Sequence, residues 1–286
     1  MAEPRVSVII PSYDCAQLVG GAIESVLAQT LDSREIIVVD DGSTDDTREA
    51  LKPFLDRPGF HYLYQANTGL PGARNAGIRH ARGEFIFILD ADDAIPPDCL
   101  RRHVETVDRE KTDWAACDVL RVEGGDKRVV ESKVPSDGAL DWAIENEFKF
   151  NAFFFRRAAV ERAGLFDEGQ RVYEDIDLYA RLLRAGAPIS CIHEPLYTYM
   201  IRGGSLTKEG KRLRNLGFME RFYRRHYKEL AQSGNGAAAR KYGELMWQMA
   251  GKYRDAGGGW RRVLACLAEC ARFAPRQTVR SALRKL

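Results

Sequence analysis

The stretch Glu84-Phe85-Ile86-Phe87-Ile88-Leu89-Asp90-Ala91-Asp92-Asp93 sets the terms for the rest of the chain. Its run of apolar residues, aromatic and β-branched, predicts a short strand buried on both faces. Asp90, Asp92 and Asp93 then stand where that strand leaves the sheet. Carboxylates so close repel one another and need a cationic partner. Ligands of open α/β sheets bind outside the carboxyl ends of the strands. Oxygen ligands at such a place suit Mg2+ or Mn2+, which keep several waters and bridge to substrate phosphates. A solvated turn ahead of Pro96-Pro97 would use the same residue types, so the cluster gains meaning only from its surroundings.

The surroundings supply two more acidic strand ends. Val6-Ser7-Val8-Ile9-Ile10 predicts a buried strand that runs into Pro11-Ser12-Tyr13-Asp14. Glu35-Ile36-Ile37-Val38-Val39 predicts a second, which runs into Asp40-Asp41-Gly42-Ser43. Between them Leu18, Val19, Ala22, Ile23, Val26, Leu27 and Leu31 recur at helical spacing. Ser43, Thr44 and Asp45 are N-cap types and open a helix to about Leu55. Residues 60–64 read as a strand, and residues 71–82 as a helix with Gly83 as its stop. Strand alternating with helix implies a mostly parallel sheet covered on both faces. The three acidic strand ends should then line one cleft. There Tyr13 offers a flat face for a base, and Asp40 and Asp41 offer acceptors.

Beyond residue 110 the pattern loosens. Strands are expected at 114–122, 128–134, 151–156 and 189–200, and helices at 137–146 and 174–184, the last closed by Gly186 and Pro188. From about 208 the pattern is helical, with breaks near 233–236 and 257–259. We therefore expect a catalytic domain over 1–207, with halves 1–110 and 111–207, and a helical region over 208–286.

Several classes fall away. The composition, 45% hydrophobic and 29% charged, is that of a globular protein. No Gly-x-Gly-x-x-Gly follows the first strand, and there is no phosphate-binding Gly-Lys-Ser/Thr loop and no Gly-x-Ser-x-Gly elbow. The six cysteines form no Cys-x-x-Cys and read as buried or idle thiols. The opening residues lack a signal-peptide pattern and no apolar run approaches a membrane span, so a cytoplasmic protein is expected. The formal net charge of +2 hides an asymmetry. Residues 208–286 carry 19 basic and 6 acidic residues, a net of +13, and the rest of the chain is correspondingly acidic. The basic part could meet an anionic surface or neutralise its own chain. No nucleic-acid recognition motif accompanies the charge.

At this point the residues resemble a known family. Val-Ser-Val-Ile-Ile-Pro-Ser-Tyr at 6–13, Val-Val-Asp-Asp-Gly-Ser-Thr-Asp at 38–45, Gly72-Ala73-Arg74-Asn75-Ala76-Gly77-Ile78 and Leu-Asp-Ala-Asp-Asp at 89–93 are similar, in order and spacing, to glycosyltransferase family 2. The resemblance implies a GT-A fold, Rossmann-like, a mostly parallel mixed sheet flanked by helices, here with a C-terminal helical extension. It also implies inverting transfer from a nucleotide sugar, most often a UDP-sugar, to a hydroxyl of a glycan, lipid-linked or surface-polymer acceptor. Pro11, Tyr13, Asp40, Asp41, Arg74 and Asp90 would hold the nucleotide, Asp92 the metal, and Asp93 would stand behind it. Tyr173-Glu174-Asp175-Ile176-Asp177-Leu178 is similar to the family's Glu-Asp helix start, which makes Asp175 the expected base and Glu174 its neighbour. Asp177 is expected only to favour the helix N-terminus. Asp14 stands where many members carry Asn, a change at a cap. The stretch 197–207 resembles one that often supplies a histidine near the metal, and here Arg202 holds that place. Arginine cannot ligate a cation but can clamp a diphosphate.

Two other classes share parts of this pattern: a non-catalytic, membrane-associated assembly partner of the same fold, and a nucleotidyltransferase. The first should have lost carboxylates that are all present here. The second should carry a Gly-rich loop after the first strand, where none stands. The tail predicts one amphipathic helix with Trp260, Val263, Leu264, Leu267 and Ala271 on a shared face. It predicts a second segment with Val279, Ala282, Leu283 and Leu286 set against Arg276, Arg280, Arg284 and Lys285. Such a tail suits peripheral contact with the inner leaflet, or packing on the catalytic domain.

Overall fold

The computed structural model describes residues 3–135, 137–147, 151–202 and 212–273. The expected segments 203–207 and 276–286 lie outside them. The strands are β1 (Val6–Ser12), β2 (Arg34–Asp40), β3 (Phe60–Tyr64), β4 (Phe85–Ile88), β5 (Trp114–Glu123), β6 (Asp126–Val130), β7 (Ala152–Arg156) and β8 (Ile189–Ile201). The α-helices are α1 (Val19–Leu27), α2 (Thr47–Leu51), α3 (Leu70–His80), α4 (Cys99–Glu110), α5 (Ala139–Glu145), α6 (Arg157–Arg162), α7 (Glu174–Arg184), α8 (Arg212–Tyr223), α9 (Glu229–Gln232), α10 (Gly236–Asp255) and α11 (Trp260–Phe273). A 3-10 turn follows α2, and a π-helical turn, Arg224–Lys228, joins α8 to α9.

The strands form one mixed sheet in the order β3-β2-β1-β4-β7-β5-β6, with β8 on the other edge of β5. The first four are parallel. Strand β7 enters antiparallel to β4 and β5, whereas β8 runs parallel to β5 along its whole length. Strands β1 and β4 are buried at every position, as central strands covered on both faces must be. Helices α1 and α4 cover the sheet with apolar stripes at i, i+3, i+4 and i+7. Neither α4 nor α6 was expected. The buried stripe of α4 passes through Cys99, Thr106 and a buried His103 among six charged residues, so composition hid it.

Gly83 has a different duty from the one expected. Helix α3 ends at Ala81 in an extended conformation, with no left-handed residue at its close. A Cβ on Gly83 would instead lie 2.6 Å from the Ser7 backbone nitrogen. The glycine lets the chain pass flush against β1. Gly186, by contrast, does close α7 in the left-handed region, at φ 75°.

The chain divides into two compact units. One comprises Met1–Ala139, Phe150–Gly169 and Arg181–Gly203, and holds the sheet. The other comprises Leu140–Lys149, Gln170–Ala180 and Gly204–Leu286. In the second unit α10 and α11 pack together, and Glu220 and Glu269 gather Arg224, Lys228 and the Tyr253 hydroxyl. Helix α11 buries Val263, Cys266 and Cys270, and leaves Trp260 and Leu264 at 70% and 61% exposure. The apolar face read from the sequence is thus turned: the two cysteines make the core stripe, and the largest side chains point outward. Among the described residues no helix is long and apolar enough to cross a membrane.

Candidate active site

Parallel pairing places the three acidic strand ends side by side. Ser12 pairs with Asp40, the Asp41 N–H donates to the Ser12 carbonyl at 2.9 Å, and the Leu89 N–H donates to the Ile9 carbonyl at 3.0 Å. The exits of β2, β1 and β4 therefore follow one another along one sheet edge. This is the edge at which an α/β sheet receives its ligand.

At the β1 exit Tyr13 is 49% exposed, its ring open to a flat partner. At the β2 exit both carboxylates are buried and already occupied. Asp40 accepts from the Ser43 N–H at 2.9 Å and from the Tyr62 hydroxyl at 2.8 Å. Burial and that bond push the Tyr62 phenol up to about 12. Asp41 accepts from Gln65 Nε2 (2.7 Å), the Thr68 and Gly69 N–H groups (2.9 and 2.8 Å) and the Thr68 hydroxyl. It therefore anchors the loop between β3 and α3, a duty the sequence did not announce.

At the β4 exit one guanidinium pairs with a carboxylate and a second bonds the backbone of the acidic turn. Arg74, from the first turns of α3 and only 7% exposed, donates to Asp90 Oδ1 at 3.0 Å and lies over the Phe166 ring. Arg202 donates from Nη1 to the Asp92 carbonyl at 2.7 Å. Burial, then the charge of Asp90, hold the Asp92 carboxyl above its ordinary range, while Arg202 pulls the other way. A carboxylate pair held in repulsion, half-buried, with oxygen donors alone, fits a hard divalent cation. Among the described residues no group of three or more Asp, Glu, His or Cys side chains could hold an ion unaided. The fit is thus to a cation that completes its shell with phosphate oxygens and water.

Asp93 faces inward, 3% exposed. Burial and Asp90's charge, only partly offset by the Met200 N–H and the Tyr197 hydroxyl, push its carboxyl up to about 7. Tyr197 is a residue that sequence reasoning left without a role. It touches the acidic turn across more than a hundred positions of chain, so no local spacing could have found it.

In the second unit Glu174 and Asp175 open α7, and Asp175 Oδ1 accepts from the Ile176 N–H at 2.8 Å. Tyr173, just ahead of them, adopts φ 66°, a strained conformation for an aromatic residue, and packs edge-on against Phe222 and Tyr223. Asp177 is buried, not a surface end-charge. It meets His226 Nε2 at 2.7 Å and Arg225 Nη1 at 3.3 Å, both from the π-helical turn. The expected helix-terminus acid is thus a core anchor for the turn that carries Asp175.

The family profile described as Glycosyl transferase family 2 matches residues 7–167. The succinoglycan biosynthesis protein ExoO of Rhizobium meliloti is 34% identical over 221 residues, which are 72% of this chain and 63% of that protein, so the match spans less than two thirds of its length. The fold is similar to S. aureus TarS 1–349 in complex with UDP-GlcNAc, at a TM-score of 0.74 and 19% identity, covering 96% of this chain and 82% of that one. It is also similar to the mannosyltransferase PcManGT of Pyrobaculum calidifontis in complex with GDP-Man and Mn2+, at 0.60 and 21%, covering 97% and 83%. With three strand-exit motifs and one helix-start motif in family order on a GT-A sheet, and the profile covering more than half of its length, the chain belongs to glycosyltransferase family 2.

Proposed function

We propose that this chain transfers a sugar from a UDP-sugar to a hydroxyl of a glycan, lipid-linked or surface-polymer acceptor, with inversion. The observation that carries the donor half is the β4 exit, where Arg74 pairs with Asp90 and Arg202 bonds the backbone carbonyl of Asp92. A nucleoside diphosphate offers the anionic oxygens that two guanidiniums clamp. The complexes of TarS with UDP-GlcNAc and of PcManGT with GDP-Man and Mn2+ support a nucleotide-sugar donor of this class. In this reading Tyr13 stacks on the base, and Pro11, Asp40 and Asp41 shape its slot. Asp90 faces the ribose or sugar, and Arg74 and Arg202 hold the diphosphate. Asp92 holds Mn2+ or Mg2+, which when bound stabilises the charge that develops on the leaving diphosphate.

Asp175 is proposed as the base. It takes the proton from the acceptor hydroxyl as that oxygen attacks the anomeric carbon from the side opposite the diphosphate. Its support is the Glu-Asp motif at the start of α7 and the buried Asp177–His226 anchor that fixes that turn. That ExoO is named a succinoglycan biosynthesis protein supports a glycan among the acceptors. The exposed Trp260 and Leu264 beside Arg261, on a strongly basic region, favour peripheral contact with an anionic leaflet, hence a cytoplasmic location at the membrane surface. Flotation with phosphatidylglycerol vesicles, lost in Trp260→Ser, tests that contact.

The deciding experiment is calorimetric titration with UDP, GDP and CMP, in Mn2+ and in EDTA. Selective, metal-dependent UDP binding is expected. Absence of binding by any nucleotide overturns the reading and leaves the non-catalytic assembly partner in its place.

A further inference from the structure

The acidic turn at the β4 exit is held from behind by β8. The Tyr197 hydroxyl accepts from the Asp90 N–H at 3.2 Å and donates to Asp93 Oδ2 at 2.7 Å, so one phenol spans the turn from its first residue to its last. The other oxygen of Asp93 accepts from the Met200 N–H at 2.8 Å. Ala94 and Thr198 exchange both backbone hydrogen bonds, at 3.2 and 2.8 Å. The turn closes on itself through the Asp93 N–H and the Asp90 carbonyl. Tyr197 is itself fixed: it is 1% exposed and its ring stacks on Phe153, centroids 3.8 Å apart and planes within 13°.

We propose that Tyr197 is the positioning residue of the metal-binding turn, and that Asp93 serves as its anchor and not as a ligand. The inference rests on the donor reading above. A cation that depends on one or two carboxylates and on substrate phosphates has few protein ligands to define it. Its affinity then depends on how rigidly those carboxylates are presented. With Asp93 drawn inward by Tyr197 and Met200, Asp90 and Asp92 alone remain at the edge. The same bonds couple the turn to β8, which ends at Ile201 and so carries Arg202 next to Asp92. The buried hydroxyl of Tyr197 thus joins both ends of the turn, beside the backbone bonds that tie the turn to β8.

The test is UDP binding by calorimetry across a Mn2+ titration, on wild type, Tyr197→Phe, Asp93→Asn and the double variant. Tyr197→Phe removes one oxygen and keeps the ring stack. The Mn2+ concentration that supports half-maximal UDP binding should rise about 10–100-fold. At saturating Mn2+ the UDP affinity should return to within about threefold of wild type, a rescue that damage to the cleft as a whole would not permit. The double variant should lose less than the sum of the two single losses, because the Tyr197–Asp93 bond is common to both. Should Tyr197→Phe fail to fold, Asp93→Asn carries the same measurement. An unmoved Mn2+ midpoint, a loss that Mn2+ does not rescue, or additive losses in the double variant each overturn the inference while the donor reading stands. If wild type binds no UDP at any Mn2+ concentration, the donor reading falls and this inference falls with it.

Discussion

Arg74 and Asp90 form a 3.0 Å ion pair in which the cation is almost wholly buried and the carboxylate about one-third exposed. The guanidinium also lies over Phe166, 5.3 Å from the ring centroid. Arg74→Ala removes a buried charge, a ring contact and the partner of Asp90 at once. We expect UDP affinity to fall at least about tenfold, and the unfolding free energy to drop by about 1–3 kcal/mol. Arg74→Lys should keep part of the stability and little of the affinity, because ammonium lacks the planar fork. Calorimetry and urea titration read the two effects separately, and wild-type affinity in Arg74→Ala would remove it from the donor site.

The proposed division between donor site and base predicts opposite signatures for two carboxamide variants. Asp92→Asn should weaken UDP binding in Mn2+ and leave binding in EDTA unchanged. Asp175→Asn should bind UDP as wild type does and lose about 10²–10⁴-fold in transfer rate. Measured together, UDP binding and UDP release in the presence of acceptor separate the roles. Full turnover in Asp175→Asn would sink the assignment of the base.

Glu35 predicts a pH-dependent stability at the end of the strands away from the acidic exits. Its side chain is 1% exposed, which raises its pKa, but the Ser7 hydroxyl and the Arg82 backbone N–H and guanidinium outweigh burial and hold it below the ordinary glutamate range. A carboxylate whose folded pKa is depressed contributes stability that is complete above its unfolded value of about 4.5. That stability is lost as pH falls through the folded value. Urea midpoints should therefore decline below about pH 4.5, and Glu35→Gln should flatten that decline while lowering stability at neutral pH. Parallel slopes in both proteins would refute the assignment.

Gly83→Ala should be among the costliest single-methyl changes in the sheet. The added carbon meets backbone atoms of Val6 and Ser7, which cannot rotate away, and also the Ser7 hydroxyl that bonds Glu35 and the Gly83 N–H. We expect about 1–3 kcal/mol of destabilisation, a fall of several degrees in Tm. Gly124→Ala is the control, since its Cβ would meet nothing and only its φ of 58° resists.

The first ninety residues were legible because strand, turn and helix signals there are local. Apolar runs such as Phe85–Leu89 end in carboxylates, and a parallel sheet must bring those ends to one edge. What was not legible depends on distance along the chain or on atypical core residues. Tyr197 reaches Asp90 only because β8 lies beside β5 and bends past the acidic turn, which no spacing announces. Asp177 looked like an end-charge because its partner His226 sits on a π-helical turn some fifty residues later. The sequence announces helix α11 but not its buried face: cysteine packs as a small apolar residue, and the stripe Val263–Cys266–Cys270 takes the interior while Trp260 and Leu264 stay exposed.

Asp14, which stands in the left-handed region at φ 49°, stitches two of the three strand-exit loops together. Its N–H donates to the Ser43 hydroxyl, and its carboxylate takes the Thr44 and Asp45 N–H groups. Asp45 in turn takes the Ala16 N–H, and the Thr47 hydroxyl takes that of Cys15. Tyr13 thus projects from a seam with no slack in its backbone, although its own ring is open to solvent. The immobilising entropy of this corner is met when the protein folds. A planar ring that stacked on Tyr13 would ask the protein for the rotamer freedom of that one side chain and for no ordering of the backbone beneath it.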